Sequence, residues 1–364
     1  MTTPKPPLHD VVVIDFTELL PGPFMTQMLS DMGARVIKIE RPPHGDPVRK
    51  AAPGLFAAIN RNKESLFVDL KTDAGLQQVM ALILEADVLV ESYRPGTLSR
   101  LGLGYDKLKD IHPKLIYVSL SGYGQSGPDA MMPGHDLNYL SAAGVAALTT
   151  SDQPVHHPQS EFATVPASQS ALPYADMGGA LYGLNAVLAA LFQRQSSAQG
   201  QWLDVSLTEA VLHQMTARLA VFQQNKTLSL AQQQASLERP AYGCYECQDG
   251  MFVSIGALES HFFERLVSAL HLSEFQGDPW KDGLYRKQHA ARINKILGQC
   301  LLQMPSQQVI DILRNHDVPV MEVVLPTDLP KHPQHIAREM FMSVSSLELP
   351  KFPIRLRGMN RSGG

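Results

Sequence analysis

The chain opens on a continuous apolar run, "VVVID" at residues 11–15, with the length and β-branched composition of a strand buried on both faces. "LLPGP" predicts a turn, "FMTQMLSDMG" a helix closed by Gly33, and "RVIKIE" a second buried strand. This is a βαβ opening of the parallel, doubly wound kind. After "NRNKESLFVDLKT" the apolar spacing predicts a helix from near Thr72 through "AGLQQVMALILEA", then a strand at "DVLVES" broken by "YRPG". "KLIYVSLSGYGQSGP" runs from a further apolar strand into a Gly-rich loop. Such loops lie beyond the carboxyl ends of strands, where open α/β sheets bind ligands.

Residues 149–170 are polar, rich in Ser, Pro and His, and read as an exposed loop. "ADMGGALYGLNAVLAALFQRQ" is a long apolar helix that begins around Asp176, Gly178 and Gly179, and "QWLDVSLTEAVLHQMTARLAVFQ" adds a strand and a helix. A shift towards Gln and Ser over residues 225–240 reads as a linker between a large domain, 1–224, and a small α+β domain, 241–329. The small domain starts with a hairpin turning at Asp249-Gly250 and continues through three helical patterns. The end, 330–364, reads as a helix and an extended tail that returns to the first domain.

Composition narrows the classes. Of 364 residues, 44% are hydrophobic and 18% charged, a globular balance that leaves room for a large core or an oligomer interface. A net charge of −4 argues against nucleic acid or an anionic membrane surface as partner. No apolar run is expected to reach the ~20 residues that span a bilayer. The Pro-rich start lacks the apolar core of a signal peptide, and three cysteines fit reduced thiols better than a disulfide framework, so the expected location is cytoplasmic. Cys244 and Cys247 form a lone CxxC, and the His-rich run at 156–160 lacks helical ligand spacing, so no metal is expected. The chain also lacks GxGxxG, GxSxG, HExxH and P-loop motifs.

Two groups of residues carry chemistry. In "PGHDLNYLSAAG" (133–144), Pro133 and Gly134 punctuate the chain, Asp136 reads as an N-cap, and Leu137, Leu140 and Gly144 start a helical stripe, which leaves His135 just ahead of a helix. Arg41, Arg61, Lys71, Arg94 and Arg100 fall beside predicted strand ends. Together they predict a phosphate-bearing ligand held by side chains in place of a glycine loop.

The segments "GPFMTQMLSDMGARVIKIERP", "NRNKESLFVDLK", "ADVLVESYRPGTLSRLGLGYDKL", "YVSLSGYGQSGP", "GHDLNYL" and "ADMGGALYGLNAVLAAL" occur in order. In them the chain resembles the family III CoA-transferases (CaiB/BaiF-like), and within that group the α-methylacyl-CoA racemases. The resemblance implies an α/β fold, with a large Rossmann-like domain built on a six-stranded parallel sheet and a small α+β domain. It also implies an interlinked homodimer, each active site lying between the large domain of one chain and the small domain of the other. Arg41, Lys71, Arg94 and Arg100 would lie along the phosphates of coenzyme A, with Arg61 as a further contributor. Coenzyme A would enter as part of an acyl-CoA substrate, with no separate cofactor.

A racemase removes a proton α to a thioester carbonyl and returns it to the opposite face, which calls for two acid/base groups and donors aimed at the enolate oxygen. An imidazole ordinarily titrates near neutrality, so His135 suits one face, and the helix opening at Asp136 offers amides to the oxyanion. By resemblance Asp176 serves the other face, Gly178 and Gly179 let substrate approach, Glu259 shares a proton with Asp176, and Glu91 orients His135. Leu172 stands where the racemases tend to carry a polar residue, a departure at the entry to the catalytic helix. The rival is a CoA-transferase of the same fold with Asp176 as nucleophile; His135, and Glu259 in "GALES" where oxalate-type transferases carry a glycine-rich run, favour the racemase. A third reading is an acyl-CoA-binding protein without chemistry, against which His135, Asp176 and Glu259 together argue. The resemblance implies a 2-methyl-branched acyl group as the default and leaves bile-acid, fatty-acyl and aryl side chains open. Met131, Met132 and Met177 are placed to line an adaptable apolar pocket, although Met more often simply packs a core.

Overall fold

A computed structural model of the protein describes residues 5–149 and 171–354. The His-rich run at 156–160 and all but the first residue of the polar stretch 149–170 therefore lie outside the described residues. Among those described, residues up to 149, 171–221 and 334–354 form one compact unit and Phe222–Pro333 form another.

The first unit is built on β1 (Val12–Phe16), β2 (Arg35–Glu40), β3 (Glu64–Phe67), β4 (Val88–Glu91), β5 (Ile116–Ser121) and β6 (Trp202–Ser206). They pair in the order β3-β2-β1-β4-β5-β6, every pairing parallel, with Ile14 of β1 opposite Ile37 on one side and Leu89 on the other. Alternation explains why the strands read as unbroken apolar runs. Val13, Val36, Val88 and Val118 face a core completed by Met25, Leu29, Leu184 and Val187. Ile14, Ile37, Leu89 and Tyr117 face the opposite core with Val79 and Ile83. Each of these residues is thus buried on one face or the other.

The helix after β1 spans Pro21–Asp31 and starts inside the segment expected to be a turn. Pro21 occupies the first helical position, where a missing N–H costs no intrahelical bond. Gly22 is required there, since a Cβ would sit 2.3 Å from the Thr17 side chain. The long helix, Tyr174–Ser197, contradicts the expectation that no segment could span a bilayer, because by length and composition it would suffice. Its buried face, which includes Gly183, Leu184, Val187 and Ala190, packs in the core of the unit and accounts for part of its apolarity, while Leu181 and Phe192 are exposed.

In the second unit β7 (Tyr242–Glu246), β8 (Phe252–Gly256) and β9 (Val320–Glu322) form an antiparallel sheet with β8 central. Phe263, Leu266, Ile293, Leu297, Val309 and Leu313, from three amphipathic helices, cover it. The segment read as a linker contains a helix, Leu230–Ala235, whose first turn carries a reciprocal cap: Gln232 N donates to Ser229 Oγ and Ser229 N to Gln232 Oε1. That Ser-x-x-Gln signal is present in the sequence and was outweighed by the Gln-rich composition around it. At the end of the chain, the expected extended tail folds into a hairpin of β10 (Phe341–Val344) and β11 (Leu347–Pro350) within the first unit.

Candidate functional site

Strand order reverses direction between β1 and β4, and such a switch point leaves a crevice at the carboxyl ends of the strands. A cavity of about 500 Å³ opens there. Its walls come from the segments after β1 (Glu18 to Pro21) and β4 (Ser92 to Pro95) and from the end of β5 (Leu120 to Gly122), together with Met132 to His135, Tyr139 and Asp176. His135 and Asp176, 41 residues apart in sequence, thus face one cavity.

Local structure fixes both. The helix Asp136–Ala142 begins one residue earlier than the sequence indicates: His135, in extended conformation, is the N-cap residue, and its backbone N donates to Asn138 Oδ1 at 3.0 Å. Asp136 is therefore helical, and its carboxylate works elsewhere. Asp136 Oδ1 accepts from the backbone N of Ala175 at 2.7 Å and of Asp176 at 3.1 Å. Those amides open the helix Tyr174–Ser197, whose own N-cap residue, Pro173, offers no side-chain acceptor. Beneath them the Tyr139 hydroxyl donates to Gly134 O at 2.6 Å. A Cβ at Gly122 or Gly134 would meet the Tyr139 ring at 2.3 or 2.7 Å, so glycine is needed at both positions.

Burial, and then the charge of Asp136, push the Asp176 carboxyl up to about 7. Near neutral pH it is poised either to give or to take a proton. The glycines that follow also make room within the fold: a Cβ on Gly178 would meet Gln214 Nε2 at 2.4 Å and one on Gly179 would meet Leu207 at 2.1 Å.

The model of CoA-transferase family III matches residues 8–362. The chain belongs to CoA-transferase family III. It is 29% identical over 363 residues to the acetyl-CoA:oxalate CoA-transferase of Acetobacter aceti, a match covering 98% of this chain and 90% of that protein. Against the human α-methylacyl-CoA racemase it is 33% identical over 272 residues, covering 73% of this chain and 65% of the racemase. Among solved structures, a CaiB/BaiF family protein from Brucella suis superposes with a TM-score of 0.81 at 26% identity, covering 97% of this chain and 93% of that one. Family III proteins act on acyl-CoA thioesters, and the α/β fold with its six-stranded parallel sheet is theirs.

The cations expected at the strand ends divide. Arg94 is exposed on the cavity wall. Arg41 is exposed and near enough to Glu18, another wall residue, to oppose the rise of its carboxyl pKa, which burial and then Asp46 cause. Lys71 and Arg100 are exposed, Arg100 reaching Thr97 Oγ1 at 3.2 Å. Arg61 is engaged in the fold. Its guanidinium is mostly buried against Asp31 at 2.5 Å and the carbonyl of Ala58 at 2.6 Å, which leaves little of it for a ligand.

Glu91 ends β4 in a buried position, its carboxylate receiving the backbone N of Tyr93 at 2.8 Å and the Ser119 side chain. Burial pushes its carboxyl up to about 7. Among the described residues no hydrogen bond joins it to His135. Glu259 is exposed at the N-cap of helix Ser260–Ala269 in the second unit. The buried Arg286 guanidinium donates on either side of it, to Leu258 O at 2.9 Å and Ser260 Oγ at 3.2 Å. Leu172 is exposed just ahead of helix Tyr174–Ser197, and Met132 lines the cavity. Among the described residues no cluster of His, Cys, Asp and Glu could hold a metal.

The sequence reading passed over a buried ionic network beneath the cavity. Lys38 Nζ pairs with Asp46 Oδ2 at 3.1 Å, and Lys63 Nζ with Asp15 Oδ2 at 3.1 Å, all four side chains fully buried. Burial alone would raise the Asp15 carboxyl; Lys63, Lys38 and the hydroxyls of Thr17 and Thr26 outweigh it and hold the group well below the usual range. A signal was available: Asp15 and Lys38 interrupt apolar runs of doubly buried strands, where a charge demands a partner. Beside this network Leu19 adopts φ 67°, a left-handed conformation that costs a non-glycine residue about 1–2 kcal/mol.

Proposed function

We propose that the protein racemises or epimerises 2-methyl-branched acyl-CoA thioesters by two-base proton transfer. The supporting observation is that His135 and Asp176 face one cavity while the Asp176 carboxyl is held near neutrality. One group takes the α-proton, the electron pair delocalises onto the thioester oxygen as an enolate, and the other group, protonated, delivers a proton to the opposite face. Nothing is oxidised, reduced or released. The amides at the start of helix Asp136–Ala142 are the donors assigned to the enolate oxygen. Arg94, with Arg41, is assigned to the phosphates of coenzyme A. The working form in this proposal is a homodimer, and full activity in a sedimenting monomer would contradict that part.

A second reading is favoured by the relatives that are CoA-transferases, among them the acetyl-CoA:oxalate enzyme of Acetobacter aceti and the succinyl-CoA–D-citramalate enzyme of Chloroflexus aurantiacus, 30% identical over 354 residues. In that reaction ionised Asp176 attacks the thioester carbon, CoA thiolate leaves, and a mixed anhydride forms that a second carboxylate opens. A carboxyl held at about 7 is less ionised at neutral pH than an ordinary one, which weighs against this role.

One experiment separates the two. A single stereoisomer of a 2-methylacyl-CoA is incubated with the protein in D2O without any acceptor acid. Deuterium at Cα with loss of optical activity is the expected result. No exchange across several branched acyl-CoAs, together with an Asp176 adduct trapped by hydroxylamine, would overturn the racemase in favour of the transferase.

A further inference from the structure

We propose that Leu19 is a specificity-determining residue, held in a left-handed conformation so that its apolar side chain forms cavity wall against the uncharged part of the thioester. This rests on the reading of the cavity as an acyl-CoA site.

The backbone at φ 67° is one that glycine adopts freely and a leucine resists, yet the chain places leucine there. The side chain gains little from the folded protein: it is 44% exposed and lines the cavity with Leu20, Val48, Leu55, Leu120 and Leu207. Conformation and exposure both disfavour this residue in the ligand-free protein, so the compensating contact is to be sought in what enters the cavity.

The surrounding structure is built to impose the conformation. Asp46 Oδ1 accepts from the backbone N of Leu19 at 3.3 Å and from that of Val48 at 3.0 Å, so one carboxylate fixes two wall segments. Its other oxygen pairs with Lys38, whose ammonium also donates to Thr17 O at 2.6 Å. Between them Glu18 N donates to Ser92 Oγ at 3.3 Å. Three consecutive residues are thus anchored, by β2, by the segment after β4 and by the Asp46 turn. Asp46 is held in turn, its backbone N donating to Glu40 Oε2 at 2.9 Å while Arg49 bridges to the same carboxylate.

An apolar wall of this kind suits two stretches of the ligand, the acyl hydrocarbon and the pantetheine arm, and the test distinguishes them. Leu19→Ala removes the side chain and keeps most of the conformational penalty; Leu19→Gly removes both, and neither is expected to disrupt folding. Calorimetry measures the affinity of each variant for CoA alone, for 2-methylbutanoyl-CoA and for 2-methyldodecanoyl-CoA. The expected result is at least tenfold weaker binding of the long-chain thioester by both variants, with Leu19→Gly melting above Leu19→Ala. If only the acyl-CoAs weaken, the contact is with the acyl chain and the assignment stands; if CoA alone weakens equally, the contact is with the arm common to every substrate, and Leu19 does not determine specificity. Binding of all three ligands within twofold of the native protein would overturn it, and Leu19→Gly melting below Leu19→Ala would overturn the conformational part. A native protein that binds none of the three overturns the acyl-CoA reading of the cavity, and this inference with it.

Discussion

Asp136 Oδ1 accepts the backbone amide of Asp176 at 3.1 Å, so the residue that follows His135 is hydrogen-bonded to the residue proposed as the second acid/base group. One carboxylate thereby caps the helix that presents Asp176 and contributes its charge to raising the Asp176 carboxyl.

Replacing Asp136 with Asn separates those roles. The amide oxygen still caps the helix, while the negative charge is lost. The Asp176 carboxyl is then expected to titrate lower than in the native protein but still above an ordinary Asp, because burial, the larger cause, remains. Carbon-13 NMR of the labelled carboxyl reads this directly. An unchanged titration would remove Asp136 as a cause. Asp136→Ala should in addition cost about 1 kcal/mol of stability through the lost cap.

Glu91 offers a test by pH. Its carboxyl is raised from an ordinary value to about 7, so the folded protein binds that proton more tightly than the unfolded chain does. The stabilisation is complete below the unfolded pKa and is lost as pH rises from about 4.5 through about 7. Glu91→Gln, which cannot ionise, should be more stable than the native protein at pH 8, by on the order of 3 kcal/mol, and should match it near pH 4. A constant difference across that range would contradict the assignment.

Arg94 and Arg61 should part company. Arg94→Ala is expected to weaken acyl-CoA binding at least several-fold, an effect that shrinks as salt rises, with little change in melting temperature. Arg61→Ala strips Asp31 of its partner and should lower stability by a few kcal/mol while leaving affinity near native. Equal losses of affinity in the two variants would return Arg61 to the ligand site.

For the proposed racemase, His135→Ala and Asp176→Asn are each expected to reduce racemisation by a factor of roughly 10²–10⁴. They should do so with opposite preferences: deuterium wash-in from one enantiomer falls with His135→Ala, and from the other with Asp176→Asn. Equal suppression of both enantiomers by each variant would contradict a two-base arrangement.

Much of this molecule is legible in its sequence because burial leaves a periodic trace. The doubly buried strands appear as runs such as "VVVID" and "RVIKIE", and the loops after them marked where the cavity opens. What stayed hidden depends on contacts between distant residues. Asp136 reads locally as the cap of its own helix and proves to cap one 39 residues on, a pairing with no signature along the chain. Arg61 has the same local look as Arg94, and only Asp31, 30 residues away, separates their roles. Gly178 and Gly179 are explained by Leu207 and Gln214, which approach from a later helix. Leu19 is the extreme case, since its conformation is imposed by Asp46 and Lys38 against its own preference.

Lys38 and Lys63, both fully buried, make the first unit self-reporting towards amine-reactive reagents. Burial brings the Lys63 ammonium down to about 8, an effect that lasts only while the side chain is shielded from solvent. An acylating label can meet it only in molecules whose sheet has opened. The rate at which these two lysines acquire label, read peptide by peptide beside exposed lysines such as Lys71, is therefore a clock for opening of the sheet under native conditions.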